Sequence, residues 1–427
     1  MNATAATAPN IPIADFTRAN PHALAVILDA SESKSIIASR DIFDLSGVKL
    51  WARDQPVSQA LQRKLLDRQL RNPLETCLMA DDGVTPHSLV LCTEALLARD
   101  TPLIALLRPH AARIVHEAAY LPLHSVAQLL LTASQASRAQ AFEHAVQAMA
   151  LSGALMLAQG GSTVDVRAAM LAGLLHDLGE IYIDPRYGEA DADRELDVLS
   201  YQQLVVHPHI GHLLLRQLTN YPLSVARAVA EHHERLDGSG YPHCLRGDAV
   251  SPLGRLLAVA ETTLGVLRDE SNELTRASIA LRVVPGEFDL AWVGAVSSAA
   301  RAAPQPLAKR ECEERQTRME RFDEALQAAQ DRIGVLTLSA ESPALQGALV
   351  LAQHLLQRLN LGRLASGLWH AGAVTEGDAA EIEAAQAELF FRLQGIKRAL
   401  RLHAGALPAA DSERLDHLCD GLDAVGR

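Results

Sequence analysis

Seven of the 17 histidines of this 427-residue chain fall between residues 176 and 243, a window in which even spacing would place about three. Their positions point to metal chemistry. His176 and Asp177 close the apolar segment RAAMLAGLL just before Gly179, His207 precedes Pro208 at a helix start, and His232 with His233 ends the segment PLSVARAVAEHHER. His144 lies upstream on a separate helix, and Glu261 lies downstream within RLLAVAETTL. Imidazole nitrogens and carboxylate oxygens projected from four or five helices into one bundle interior are what a site for two divalent metals requires. Adjacent His and Asp side chains can reach two different metals, with the carboxylate bridging. A single histidine on an apolar helix is ordinarily a core or surface residue, but two adjacent pairs at helix ends argue for ligation. His209, His212 and His243 are read as structural, and Glu143, Glu231 and Glu234 as solvated helix-face charges.

The most specific text in the chain is HHERLDGSGYP. Its Asp237, Gly238, Ser239, Gly240, Tyr241 and Pro242 combine backbone freedom, an aromatic face for stacking and a rigid exit. Alone, this is an ordinary Gly-Pro turn; directly after a histidine pair it reads as a lip over the metal site.

The surrounding text supplies helices to hold these groups. From about residue 93 nearly every segment is helical by period, with Pro and Gly at the joints. Ala112 to Ala119, Val126 to Ala133 and Ala139 to Gln159 are examples, the last ended by Gly160 and Gly161. Before them, IIASRDIF and VKLW around DLSG suggest a hairpin, and Ser58 is placed to cap a helix through QALQRKLLDRQL. The expected division is a poorly ordered lead-in at 1–22, an α+β and helical regulatory region at 23–134, the histidine-bearing domain at 135–300, and a helical bundle at 301–427 after the linker RAAPQP. The fold class is mostly α, with a small N-terminal α+β unit and a C-terminal helical region.

Composition narrows the function. A net charge of −12 opposes a phosphate backbone and argues against general nucleic-acid binding. Five scattered cysteines (Cys77, Cys92, Cys244, Cys312, Cys419) without a CxxC pair read as thiols of a reducing compartment. No membrane span or leader is expected, which predicts a cytoplasmic protein.

Across residues 135 to 300 the chain resembles the HD-GYP family, HD-superfamily phosphohydrolases that cleave the bacterial messenger cyclic di-GMP. The matching features, in order, are His144, LLHDLG with His176 and Asp177, His207 before Pro208, and HHERLDGSGYP with His232 and His233. The resemblance implies an HD-superfamily helical bundle with a di-iron or di-manganese site held by His144, His176, Asp177, His207, His232, His233 and Glu261. Asp177 would be the catalytic carboxylate. The segment from Ile36 to Leu78 looks like the small domain often found before such catalytic domains.

Four departures stand out. Glu180 occupies the position where the family usually has a phosphate-facing Lys. Glu261 replaces the usual Asp as last ligand, Gln140 stands where a Glu would support a third metal, and VLRDESNEL lacks the Arg-Pro-Tyr run, with Arg268 out of register. The expected function is metal-dependent hydrolysis of cyclic di-GMP to pGpG or GMP in bacterial signalling. Guanine would stack near Tyr241, and Glu180, Arg235, Asp237, Gly238, Gly240 and Pro242 would line the substrate site. Glu180 and the missing run favour an alternative, a catalytically impaired receptor or scaffold that signals through its flanking regions. An HD phosphohydrolase acting on another nucleotide or on a phosphomonoester is the third reading. Partners would be cyclic di-GMP and proteins bound through the N- and C-terminal regions, and a homodimer is compatible with the sequence.

Overall fold

The computed structural model describes residues 15–185, 202–268, 273–302, 313–365, 376–405 and 407–423. Residues 1–14 of the expected lead-in, residues 303–306 of the expected linker, and Cys312 lie outside them. The chain divides into two units, one formed by Ile11–His233 with Ser251–Leu264, the other containing Glu234–Val250 and Gly265–Arg427.

In the first unit, Asn20 caps α1 (Pro21–Ala30) by accepting from the His22 and Ala23 amides. The lead-in is folded from Asp15 onward: Phe16 is buried and meets the Tyr182 ring edge-on at 5.7 Å. The expected hairpin forms only in part. The run IIASRDIF splits into β1 (Ile36–Ala38) and β2 (Ile42–Phe43), and only β2 pairs with β3 (Lys49–Trp51). The intervening turn uses Gly47 at φ +86°. β1 instead pairs antiparallel with β4 (Leu78–Ala80), Ile36 opposite Ala80. Both sheets are two-stranded and too small to stand alone; Val84 ties the module to the helix Ser125–Ser137 by donating its amide to Thr132 Oγ1 at 2.8 Å.

The helix after Ser58, α2 (Gln59–Leu65), is shorter than its apolar spacing suggested, and Ser58 makes no side-chain cap. Leu61 and Leu65 are buried, but Leu66 is 65% exposed and Asp67 takes φ +59°, which ends the helix. Leu70 reaches the core through a bridge to Asp44.

The remaining helices of this unit are α3 (Pro86–Leu97), α4 (Pro102–Leu107), α5 (Ala111–Ala118), α6 (Ser125–Ser137), α7 (Ala139–Ala158), α8 (Thr163–Leu175), α9 (His207–Leu218), α10 (Leu223–Glu231) and the first part of α11 (Pro252–Leu267). A Ser162/Asp165 capping box starts α8. Glycine sets the closest approaches. A Cβ on Gly173 would meet the Ala148 carbonyl oxygen at 2.4 Å, and one on Gly179 would meet the His207 carbonyl oxygen at 2.0 Å, so α8 and the turn after it seat directly on neighbouring backbone. Among the described residues only α7 is long and apolar enough to cross a membrane, and 61% of its apolar window is buried.

The second unit contains α12 (Leu274–Ala280), α13 (Leu290–Ala302), α14 (Glu313–Ser339), α15 (Pro343–Ala365), α16 (Glu376–Ala404) and α17 (Ala409–Asp423). Their shared core includes Phe322, Leu349, Leu356, Leu389, Leu393, Leu415 and Leu422, and also Ile279 of α12 with Val283 and Val284 from the segment after it. A Cβ on Gly362 of α15 would meet the Val283 carbonyl oxygen at 2.4 Å. Cys77 and Cys419 are buried free thiols, while Cys92 and Cys244 are half-buried.

One contact links the N-terminal module to the turn that follows Asp177. Tyr182 Oη donates to Glu75 Oε1 at 2.8 Å, both residues being buried. Burial pushes the Glu75 carboxyl up. Tyr182→Phe removes the donor and leaves a buried carboxyl short of a partner, which costs about 1–3 kcal/mol. Urea unfolding of the variant should show this loss; an unchanged midpoint would mean the contact carries no stability.

Candidate metal centre

Three histidines sit where a helix ends or begins, and each is held the same way. His176 caps the C-terminus of α8, His232 caps the C-terminus of α10, and His207 opens α9. In each, Nδ1 lies 2.7 Å from the carbonyl oxygen three residues earlier: Gly173 for His176, Leu204 for His207 and Val229 for His232. A carbonyl only accepts, so Nδ1 carries a ring proton and Nε2 is the nitrogen left for a metal or a second proton. This is the arrangement that orients a metal-binding imidazole.

The Nε2 atoms then converge. His207 and His232 approach to 3.1 Å and His144 and His176 to 3.2 Å. The two oxygens of Asp177 face different groups. Oδ2 is 3.0 Å from His176 Nε2 and 3.6 Å from His144 Nε2, whereas Oδ1 is 3.5 Å from His207 Nε2 and 3.4 Å from His232 Nε2. Oδ1 is buried and makes no hydrogen bond. Glu261 Oε2 joins the first group, 3.0 Å from His144 and 3.2 Å from His176. His233 joins the second: ligand atoms of Asp177, His207, His232 and His233 all lie within 4.8 Å of one another, as do those of His144, His176 and Asp177.

The seven side chains expected to meet thus come together from α7, α8, α9, α10 and α11. Paired imidazole lone pairs at such separations, with two carboxylates among them in a buried site, require positive charge between them. The protonation pattern reflects that demand. Burial disfavours charge at Asp177 and Glu261, but the imidazoles around them outweigh it and hold both carboxyls well below the usual range. Burial likewise opposes a proton on His176, yet Asp177 and Glu261 raise its pKa well above the ordinary value. His232 is pushed down to about 3 by burial and by the adjacent His233. A divalent cation fits this donor set, supplying the charge that a proton on His176 otherwise provides.

The loop after His233 is built by two carboxylates that the sequence reading assigned to solvent. Glu231 and Glu234 are instead buried. Glu231 accepts from Arg227 Nε at 2.6 Å and from the Ser251 amide at 2.8 Å. Glu234 accepts from the His243 amide at 2.7 Å and the Leu245 amide at 2.8 Å, which fixes the far side of the loop. Helical spacing accounts for the Arg227–Glu231 pair but gives no hint of the loop contacts, because those partners are backbone amides many residues away. Glu143 does face solvent, paired with Arg99.

Within the loop, Asp237 Oδ1 accepts from the Ser239 amide at 3.0 Å and hydroxyl at 2.7 Å. Gly238 takes φ +86°, and a Cβ there would meet Arg246 Nε at 2.5 Å. Gly240 and Pro242 are buried and Tyr241 is half-buried. Arg235 lies 3.7 Å from Glu287 and over the Phe288 ring at 4.9 Å. His212 Nδ1 meets the Ala226 carbonyl at 2.9 Å, a helix-to-helix contact away from the cluster. Gln140 is exposed. Glu180 is buried in the turn Leu178–Tyr182, and Arg138 donates to its carbonyl oxygen at 3.1 Å.

Residues 128–271 match the HD domain family model, a span that takes in all seven side chains and the HHERLDGSGYP loop. Over these residues the chain is therefore similar to HD-domain proteins. It is similar to the cyclic di-GMP phosphodiesterase response regulator RpfG of Xanthomonas campestris, 38% identical over 107 residues, or 24% of this chain and 27% of that protein. A cyclic di-GMP phosphodiesterase of Pseudomonas aeruginosa is 31% identical over 193 residues, 43% of this chain and 45% of the relative. A 3′3′-cGAMP-specific phosphodiesterase of Vibrio cholerae is 31% identical over 90 residues, 21% of this chain and 19% of the relative. The chain spans less than half the length of each of these relatives.

Protein prepared with iron or manganese should contain about two metals per chain by elemental analysis. His176→Ala combined with Asp177→Ala should remove most of that metal, since it deletes the shared carboxylate and one anchoring imidazole. Unchanged occupancy would sink the assignment.

Proposed function

We propose that this protein is a metal-dependent phosphodiesterase that hydrolyses cyclic di-GMP to linear pGpG or GMP in bacterial signalling. The observation that carries the proposal is Asp177, which presents one oxygen to each of two imidazole groups inside an HD domain. In this reading His144, His176, Asp177 and Glu261 would hold one ion of iron or manganese, and Asp177, His207, His232 and His233 would hold the other. Bound there, the two ions would activate water for in-line attack and neutralise charge on the non-bridging phosphate oxygens.

The chain's own residues supply the remaining requirements. His176, His207 and His232 arrive with tautomers already set, so binding needs no ring reorientation. Asp177, as the shared carboxylate, fixes the two groups relative to one another. The loop after His233 offers the Tyr241 ring for stacking on guanine, with Asp237, Gly238, Gly240 and Pro242 shaping the backbone around it. Relatives named for cyclic di-GMP and for 3′3′-cGAMP support a cyclic dinucleotide as the substrate class.

Glu180 supports a second reading, a receptor that binds the dinucleotide without turnover. Its carboxylate acts on the Arg138 guanidinium, whose pKa burial lowers and Glu180 raises. This partner offsets part of the repulsion that an unpaired anion would exert on a phosphate. Glu180→Lys would set two cations together, so Glu180→Gln is the cleaner probe. If Glu180 impedes substrate, the variant should bind cyclic di-GMP more tightly; lower stability with unchanged binding would make it a structural partner of Arg138.

Turnover and binding of cyclic di-GMP by metal-loaded protein, measured side by side, decide between the readings. Hydrolysis to pGpG or GMP is expected; binding without turnover selects the receptor, and neither rejects both. Base stacking contributes about 1–3 kcal/mol, so Tyr241→Ala should weaken binding roughly tenfold to a hundredfold. Turnover of bis-p-nitrophenyl phosphate, which has no guanine, should fall much less. Equal losses would mean that the loop supports the site without reading the base.

A further inference from the structure

The loop that begins at Arg235 is anchored to the C-terminal helices through charge. The Leu236 amide donates to the Glu287 carbonyl oxygen at 2.9 Å. The Glu287 carboxylate is buried and lies 2.8 Å from Arg392 Nε of α16 as well as 3.7 Å from Arg235 Nε. Arg392 is held in turn by Glu388 Oε2 at 3.3 Å and by the Ala280 carbonyl oxygen at 3.0 Å. A second tether comes from α15, where His354 Nε2 meets the Asp237 carbonyl at 2.8 Å. Two residues of the loop, Arg235 and Asp237, are therefore each fixed by a group from the C-terminal region or the segment preceding it.

A buried Arg–Glu–Arg arrangement is a costly way to gain stability, because desolvating the charges consumes most of what their attraction returns, and apolar side chains of similar size often do as well. What charge provides beyond packing is a defined geometry. Glu287 accepts from one side and its backbone carbonyl fixes Leu236 from the other, so the start of the loop has one arrangement that satisfies every group.

We propose that Glu287, Arg392 and His354 are positioning residues for the Arg235–Pro242 loop, and that the C-terminal helices thereby set how well that loop binds a cyclic dinucleotide. The inference rests on the reading of this loop as the base-contacting element. It gives the C-terminal region a role in the reaction: α15 touches the loop's backbone through His354, α16 reaches the loop through Arg392 and Glu287, and both act on the ligand through the loop.

The test uses the full chain, metal-loaded, as wild type, Arg392→Met, Arg392→Lys and His354→Ala. Hydrogen–deuterium exchange is read over residues 236–247 and over α8. Steady-state turnover is read with cyclic di-GMP and with bis-p-nitrophenyl phosphate. In Arg392→Met the loop amides should exchange about tenfold faster with α8 unchanged, because local opening is set by local contacts. KM for cyclic di-GMP should rise by about tenfold while turnover of bis-p-nitrophenyl phosphate stays within about twofold. Arg392→Lys should recover part of the loss. If Arg392→Met does not fold, His354→Ala, which removes a single hydrogen bond, should move the loop exchange and KM in the same direction. Unchanged loop exchange overturns the proposal, as does exchange that rises equally in α8, or kcat falling for both substrates with KM fixed. Should wild type neither bind nor hydrolyse cyclic di-GMP, the functional reading fails, and the exchange measurement still decides whether these residues hold the loop.

Discussion

The Nδ1 protons of His176, His207 and His232 are spent on backbone carbonyls, which turns their Nε2 atoms inward, those of His207 and His232 to within 3.1 Å of each other and that of His176 to within 3.2 Å of His144. That arrangement is unfavourable in a buried site unless a cation sits among them, and it constrains the rest of the domain. The anchoring carbonyls of Gly173 and Val229 belong to the last turns of α8 and α10, whose carbonyls have no helical partner. Helix ends thus do two things with one bond: the histidine satisfies an orphan acceptor and fixes its own tautomer. Asp177 follows His176 immediately, so the same helix end delivers the carboxylate that both groups share.

Bringing such ends together demands close backbone approach, and the sequence meets it with glycine. Gly173 lets α8 lie against the Ala148 carbonyl of α7, and Gly179 lets the turn after Asp177 lie against the His207 carbonyl of α9. A methyl group at either place would separate elements whose ligand atoms must stay within 4.8 Å of one another. The turn is braced on its other side by Tyr182, which reaches Glu75 of the N-terminal module. Local helix-end chemistry, helix packing and metal chemistry are therefore linked through the short stretch from Gly173 to Tyr182.

What was legible in the sequence was what depends on neighbours along the chain. Adjacent His-Asp and His-His pairs at the ends of apolar segments announced a cluster of side chains that come together, and helical spacing placed α6, α7 and α8 to within a few residues. What depends on distant partners was not legible. Glu234 looks like a surface charge until the His243 and Leu245 amides fold back onto it, and Glu231 until Ser251 does. Ile36–Ala38 reads as half of a hairpin, but its partner strand lies at Leu78–Ala80. No periodicity marks Arg392 as a partner of Glu287, because the pair is made by tertiary packing of α16. Glu180 shows the same limit: nothing in the text around it announces Arg138, which donates to its carbonyl oxygen across 42 residues of chain.

The central claim is that these seven side chains form a site for two ions sharing one carboxylate. X-ray absorption at the metal edge of iron- or manganese-loaded protein tests it most directly, since it reads ligand type and metal–metal separation together. The account predicts imidazole outer-shell scattering at each ion and a metal–metal vector near about 3.5–4 Å. A shell of oxygen alone, without imidazole scattering or a second metal, would contradict it.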